Sequence, residues 1–251
     1  MMTVSYFSGG VSSAVATMLA IDDIDRIMYT HIDDQHPDTM RFVQDCEDWF
    51  GRPVEIMQSP LRSVDNACRM ASFIRSRNGG AACTQRLKRQ VRKQFERDNE
   101  GRMTIVWGLD WGERDRAMRL TTMMPHHEHQ FPLIDHKMSK EHAHEVLRAS
   151  GIKRPAMYDL GYHNNNCIGC VKGGMGYWNK IRINFPDVYA QRAAMERLIG
   201  FPIISKGVWL DELDPERGRH AGPICDDCGI MCELMSISNA KVDAPSGATA
   251  E

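Results

Sequence analysis

The chain has 251 residues, 42% of them hydrophobic and 25% charged, with a formal net charge of −2. That length suits a soluble globular protein of one domain with additions, or of two small ones. No apolar run approaches the ~18 residues of a membrane helix, and the net charge gives the chain as a whole no electrostatic case for nucleic acid. The first residues lack a basic start and charge appears by Asp22, so a cytoplasmic location without membrane attachment is expected. In a reducing compartment the eight cysteines point to metal binding or catalysis rather than disulfides.

In chain order, "TVSYF" reads as a short strand and "SSAVATMLAI" as a helix, followed by a second strand, "DRIMYTHI". "PDTMRFVQDCEDWFG" reads as a helix with Pro37 in its first turn and Gly51 at its end. "PVEIM" is a third strand. "TQRLKRQVRKQFER" spaces Leu87, Val91 and Phe95 four apart, which predicts an amphipathic helix with a basic outer face. "MTIVWG" is a buried strand, and "SKEHAHEVLRASG" a helix capped by Ser139 and Gly151, with Ala143, Val146 and Leu147 inward. Strands alternating with helices predict an α/β fold: an open parallel sheet with helices on both faces and "TVSYF" central.

Past Pro155 the pattern changes. "LGYHNNNCIGCVKGGMGYWNKIRINFP" has no clear periodicity; one helix follows, "DVYAQRAAMERLIG", then an acidic, cysteine-containing segment. The expected organisation is a nucleotide-binding α/β domain over 1–154, a Cys-rich metal-binding region over 155–238 and a disordered tail over 239–251.

Charge is unevenly spread. From Arg62 to Arg97 ten Lys/Arg face only Asp65 and Glu96; from Asp211 to Glu251 nine acidic residues face Arg217, Arg219 and Lys241. A basic middle marks a local site for an anion, or a solvated helix face. Arg86, Lys88 and Arg89, with Arg92 and Lys93 further along the helix, are the candidate cations for an anionic substrate, plausibly nucleic acid.

"SGGVSS" follows the first strand. In an open parallel sheet ligands sit beyond the carboxyl ends of the strands. Glycines there let backbone N–H groups approach an anion, and the helix N-terminus behind favours negative charge. Ser8, Ser12 and Ser13 add hydroxyls to Gly9 and Gly10. The stretch reads as a phosphate or pyrophosphate cradle, or as a tight turn capped by serine. No Gly-Lys-Ser/Thr follows, so it is not a Walker loop.

"SGGVSS" resembles the PP-loop of the ATP pyrophosphatases, usually Ser-Gly-Gly-x-Asp-Ser, with Ser12 where Asp is usual. "HIDDQHPDT", "CTQRLKR", "GLDWGERDRAMRL" and "FPLIDHKMSKEHAHEVLRASGI" are similar to successive elements of one branch, the phosphoadenosine phosphosulfate (PAPS) reductase-like proteins. The resemblance implies an adenine nucleotide alpha hydrolase-like fold that binds ATP with Mg²⁺. It implies cleavage to AMP and pyrophosphate by adenylylating a substrate, feeding sulfur transfer to a nucleotide or nucleic acid, with a sulfur donor protein as a possible partner. Alternatives are a sulfonucleotide (PAPS or adenosine phosphosulfate) reductase and a non-catalytic, metal-stabilised nucleotide-binding adaptor. The Glu-Cys-Gly-x-His element of thioredoxin-dependent PAPS reductases has no counterpart here, which weighs against plain PAPS reduction. Asp33 and Asp34, after the second strand, are placed near ribose or Mg²⁺, or cap the next helix; Glu113 (catalytic) and Arg114 (phosphate) follow the "IVWG" strand. The sequence leaves the oligomeric state open, a dimer included.

Cys167 and Cys170 form C-x2-C; Cys225, Cys228 and Cys232 form C-x2-C-x3-C. Such spacing bends two thiolates onto one metal. Cys167, Cys170, Cys228 and Cys232 are the favoured four ligands, with Cys225 spare, for Zn²⁺ or a [4Fe–4S] cluster; the alternative is plain buried cysteine. Cys83 stands alone at the head of the basic helix, where nearby cations favour thiolate. It is a candidate sulfur carrier or nucleophile, or a small residue in a turn. Cys46 and Cys68 fall in helix patterns and read as core. "HHEH" at 126–129 reads as a solvated loop rather than a metal tract.

Overall fold

The computed structural model describes residues 1–76, 80–204 and 207–219. The segment carrying Cys225, Cys228 and Cys232, and the expected tail 239–251, lie outside the described residues.

The first part runs β1 Met2–Phe7, α1 Val11–Leu19, β2 Arg26–His31, α2 Asp38–Phe50, β3 Val54–Gln58 and α3 Val64–Ala71. A π-helical segment, Thr84–Arg89, passes into α4 Gln90–Asp98 and then β4 Met103–Val106. There follow α5 Arg114–Met123, β5 Glu128–Gln130, α6 Pro132–Asp135, α7 Lys140–Ala149, α8 Ala156–Asp159, α9 Met175–Asn184 and α10 Pro186–Ile199. The strands form one five-stranded sheet in the order β3-β2-β1-β4-β5, every pairing parallel. β1 is central, as its sequence suggested. Strand order reverses around it, so the loop after β1 opens at the switch point of the sheet, where such folds leave a crevice.

Alternation along the strands sorts side chains to two faces. Phe7, Ile27 and Tyr29 pack with Val15 of α1, Phe42 of α2 and Leu147 of α7. Val4, Met28 and Ile105 pack on the other face with Phe95 of α4 and Leu120 of α5. A third core lies past the carboxyl edge, where Ile32 and Leu87 meet Trp178 of α9, Met195 of α10 and Ile204. There the fully buried Arg192 pairs with Asp34, which also accepts Val64 N at 2.7 Å. Cys46 and Cys68 are buried in the core, as expected.

Several expectations need correction. The helix over 84–97 opens with π turns rather than α turns. The aperiodic stretch holds α9, whose Tyr177, Trp178, Asn179 and Ile181 are all buried; a helix covered on several sides shows no apolar stripe. α3 bears out the helix pattern around Cys68, whereas α5 has no counterpart among the expected elements, because it buries only three residues. "HHEH" is not a solvated loop: Glu128–Gln130 is the edge strand, and buried His127 accepts Met103 N at 3.3 Å.

Candidate functional site

Two glycines make the turn after β1 possible. Gly9 has φ +76°, and a Cβ there would stand 3.0 Å from the Tyr29 ring. Gly108, just past β4, lets that strand end pass against the head of α1: a Cβ on it would sit 2.5 Å from Ser13 Cα. Ser13 Oγ fixes the turn by accepting Ser8 N at 3.1 Å, meeting Ser8 Oγ at 2.9 Å and donating to Gly10 O at 2.9 Å. No side chain caps α1 from its N-cap Gly10, and Ser8, Gly10, Ser12 and Ser13 line the crevice at its head, where the positive end of the helix dipole lies. Tyr158 Oη accepts Val11 N at 3.3 Å.

The loop forms one wall of a cleft of about 50 Å³, lined by Ser8, Gly10, Ser12 and Ser13. Asn164, Asn165, Asn166, Tyr158 and Lys140 make the facing wall, and Lys88, Gly108, Asp110 and Glu113 complete it. Asn165 Nδ2 donates to Gly9 O at 2.8 Å and to Thr39 Oγ1 at 3.1 Å, tying the asparagine run to the loop. Lys140 Nζ donates to Asn164 Oδ1. Asp110 accepts Gly112 N at 2.8 Å, while Glu113 accepts Asp110 N at 3.1 Å and the Arg116 guanidinium. Glu113 therefore holds the turn before α5 while also lining the cleft.

Of the residues singled out from sequence, Ser8, Gly10, Ser12, Ser13, Lys88 and Glu113 come together here, with Gly9 beneath them. Asp33 lies outside this lining; it accepts Arg62 Nε at 3.0 Å and Gln58 Nε2 at 2.8 Å. The Arg62 hydrogen bond holds its carboxyl below the usual carboxylate range. Arg114 also lies outside, donating to Trp111 O at 2.7 Å with its guanidinium 3.8 Å over the Trp111 ring. Arg86 and Arg89 line two grooves beside α4.

Lys140, Tyr158, Asn164, Asn165 and Asn166 were not anticipated. Two signals were present. Lys140 opens α7, and a cation at a helix N-terminus opposes the dipole unless another task holds it there. Three successive asparagines in an aperiodic stretch need partners for their amides.

The C-x2-C turn sits beside this wall. Gly169, at φ +68°, has no room for a Cβ, which would lie 2.7 Å from Val188 Cγ1. Tyr177 Oη accepts Cys170 N at 2.8 Å and donates to Cys167 O at 3.3 Å. Ile168 N donates to Asp34 O at 2.8 Å. Cys83 does not stand apart: Cys83 and Cys167 pack against the core that includes Cys170. Burial opposes the charge on Arg192, but its ion pair with Asp34 outweighs this and its pKa stays raised, with Cys167 and Cys83 close enough to add to the effect as thiolates. Among the described residues no group of three or more His, Cys, Asp or Glu is gathered for a metal ion, and no helix is long and apolar enough to cross a membrane.

The class defined so far is an α/β protein with a glycine-serine loop at the switch point of a parallel sheet. No family model matches the chain, and no curated protein matches it. Among solved structures it is similar to the phosphoadenylyl-sulfate (PAPS) reductase of Candida auris, crystallised as a phosphate complex. That likeness has a TM-score of 0.45 and 8% identity over 66% of this chain and 82% of the other.

Proposed function

We propose that the cleft is the phosphate site of a PP-loop, PAPS reductase-like enzyme. It binds ATP and cleaves it to AMP and pyrophosphate by adenylylating a substrate, for sulfur transfer to a nucleotide or nucleic acid. The observation that carries this is the head of α1, which no N-cap side chain closes, lining one cleft with Ser8–Ser13, Lys88 and Lys140. Backbone donors, a helix dipole and two ammonium groups suit a polyphosphate. In the proposed reaction a substrate oxygen attacks the α phosphorus, the bond to the β-phosphate oxygen breaks and pyrophosphate leaves. A sulfur nucleophile then displaces AMP. The lysines and loop amides stabilise charge on the departing pyrophosphate.

Mg²⁺ takes hard oxygen ligands and binds through one or two carboxylates plus substrate phosphates. Asp110 and Glu113 line the cleft and fit that requirement, with the Ser12 hydroxyl opposite in place of the usual carboxylate. The thiols fit an all-sulfur metal site. Cys167 and Cys170 would hold Zn²⁺ or a [4Fe–4S] cluster together with Cys228 and Cys232, Cys225 being spare; bound there, the metal ties the acidic segment to the core. Cys83, within electrostatic reach of the same guanidinium as Cys167, is the candidate sulfur carrier.

Incubation of anaerobically purified protein with ATP labelled at the α phosphate tests the reaction. AMP plus pyrophosphate is expected and is abolished in Gly10→Val; ADP as product, or no turnover with any acceptor, contradicts it. Metal analysis of the same sample reads about four irons and brown colour for a cluster, or about one zinc for a structural site. Neither metal would sink the thiolate assignment.

A further inference from the structure

α4 is a ridge between two grooves. One, of about 680 Å³, has Met57, Gln58, Ser59 and Pro60 along its far side. The other, of about 400 Å³, is bounded by Met123, Met124, His126 and His127. Lys93 and Arg97 line both, so they stand on the crest. Gln90, Lys93, Gln94 and Arg97 follow the i, i+3, i+4, i+7 spacing of one helix face, and all four are exposed. Arg86 lines only the first groove and Arg89 and Arg92 only the second. Between Thr84 and Asp98 six Lys/Arg face Glu96 and Asp98, in a chain whose net charge is −2. Three of these cations lie in the π turns and three on α4, where Arg92 pairs with Glu96 at 3.0 Å and Lys93 and Arg97 stand on the crest.

We infer that this ridge docks in the major groove of B-form duplex DNA, the crest toward base edges and a phosphate strand along each flanking groove. The inference rests on the nucleic-acid branch of the proposed function and names its substrate. An α-helix with its side chains is ~10–12 Å across, and the B-form major groove is ~12 Å wide. Arg86–Arg97 spans ~18 Å at helical rise. Glutamine, lysine and arginine are the side chains that read adenine and guanine edges there. The crest's internal bonds, Arg97 to Gln94 and Gln94 to Asp98, would be exchanged for bonds to bases. Two competing polyanions fit less well. Single strands are held by exposed aromatic faces, whereas Phe95, the aromatic residue lining these grooves, is 8% exposed, with Arg26 4.8 Å over its ring. A-form RNA closes its major groove to side chains.

The ridge begins where the cleft ends. Lys88 lines the cleft, and the π turns around it lead directly into α4. DNA seated on α4 therefore passes the phosphate site at the helix's first turns and continues toward the amino edge of the sheet.

The test is fluorescence anisotropy of the full chain with a labelled DNA duplex of about 20 base pairs, the matching single strand and an RNA duplex of the same sequence, at low and raised salt. Tightest binding to the DNA duplex, with affinity falling at least tenfold from about 50 to 200 mM salt, is expected for several phosphate contacts. The double variant Lys93→Glu/Arg97→Glu should lose more than tenfold in DNA affinity and keep its circular dichroism; the milder Lys93→Gln/Arg97→Gln should lose less. Arg148→Gln, on α7 across the sheet, should change nothing. Equal binding of single strand or RNA duplex, or full DNA affinity in both double variants, overturns the inference. AMP formation read in parallel separates the two ideas: DNA binding without AMP sinks the ATP reaction alone, and AMP without DNA binding sinks the ridge alone.

Discussion

The two walls of the cleft are built on opposite principles. The wall after β1 is backbone: Gly9 and Gly10 admit the chain, and the first turn of α1 presents its amides. The wall from 140 to 166 is side chain: an ammonium, a phenol and three amides from helices and aperiodic chain. A backbone wall needs glycine at fixed places and tolerates little there. A side-chain wall needs only that its bearers be held, and the C-x2-C turn that continues this wall is held out of sight by Asp34, Arg192 and the Tyr177 hydroxyl. Damage to the first should remove ligand binding, whereas damage to the supports of the second should first remove stability.

The sharpest way to break that contrast is the buried ion pair. Arg192→Ala leaves Asp34 with its buried partner gone and should cost about 3–5 kcal/mol. Asp34→Leu with Arg192→Leu should cost less than the single change. Urea midpoints measure both; a single change under about 1 kcal/mol would mean the pair does not support this region. Next comes Gly108→Ala, whose new Cβ meets Ser13 backbone and should destabilise by about 1–3 kcal/mol. Gly174→Ala, with open space around its Cβ, is its tolerant control.

Asn165→Ala sharpens the contrast from the other side. It removes the amide that donates to Gly9 O and should cost about 1–3 kcal/mol of stability. It should also weaken ATP binding, because the carbonyl it held belongs to the loop. Unchanged ATP affinity would separate the two walls.

The smallest effect is set by pH. Burial lowers His127 and His144 to about 4, helped by His126 in the first case and by Arg154 and Lys140 in the second. An unfolded histidine titrates near ~6.5. Between roughly pH 6.5 and 4 the unfolded chain therefore binds protons that the folded chain refuses, and stability falls as pH falls. The contribution is complete above the unfolded value. His144→Gln should flatten the midpoint-against-pH slope over that window; an unchanged slope would rule His144 out as a contributor.

The same contrast explains what could be read from the residues. β1, the glycine turn, α2 and α7 are legible because glycine, caps and apolar spacing act over a few residues. Lys88 and Glu113 were in view, but their tasks were not: Glu113 is also tied to Arg116 and the Asp110 amide. Asp34 pairs with Arg192, 158 positions away, and no local pattern announces that. Trp178 and its neighbours hide α9 by being buried all round, and the wholly polar Glu128–Gln130 hides β5. Tyr158 has no local signature, because its role depends on where α8 brings its hydroxyl.

The central claim is that the head of α1 receives the phosphates of a nucleotide. Amide-resolved nuclear magnetic resonance of the full chain during titration with Mg²⁺–ATP tests it most directly. The account predicts the largest shifts at Gly9 to Ser13, followed by Lys88, Lys140 and Asn164 to Asn166, and their loss in Gly10→Val with the rest of the spectrum unchanged. Saturable shifts confined to α4 and its two grooves, with Gly9 to Ser13 unmoved, would contradict it.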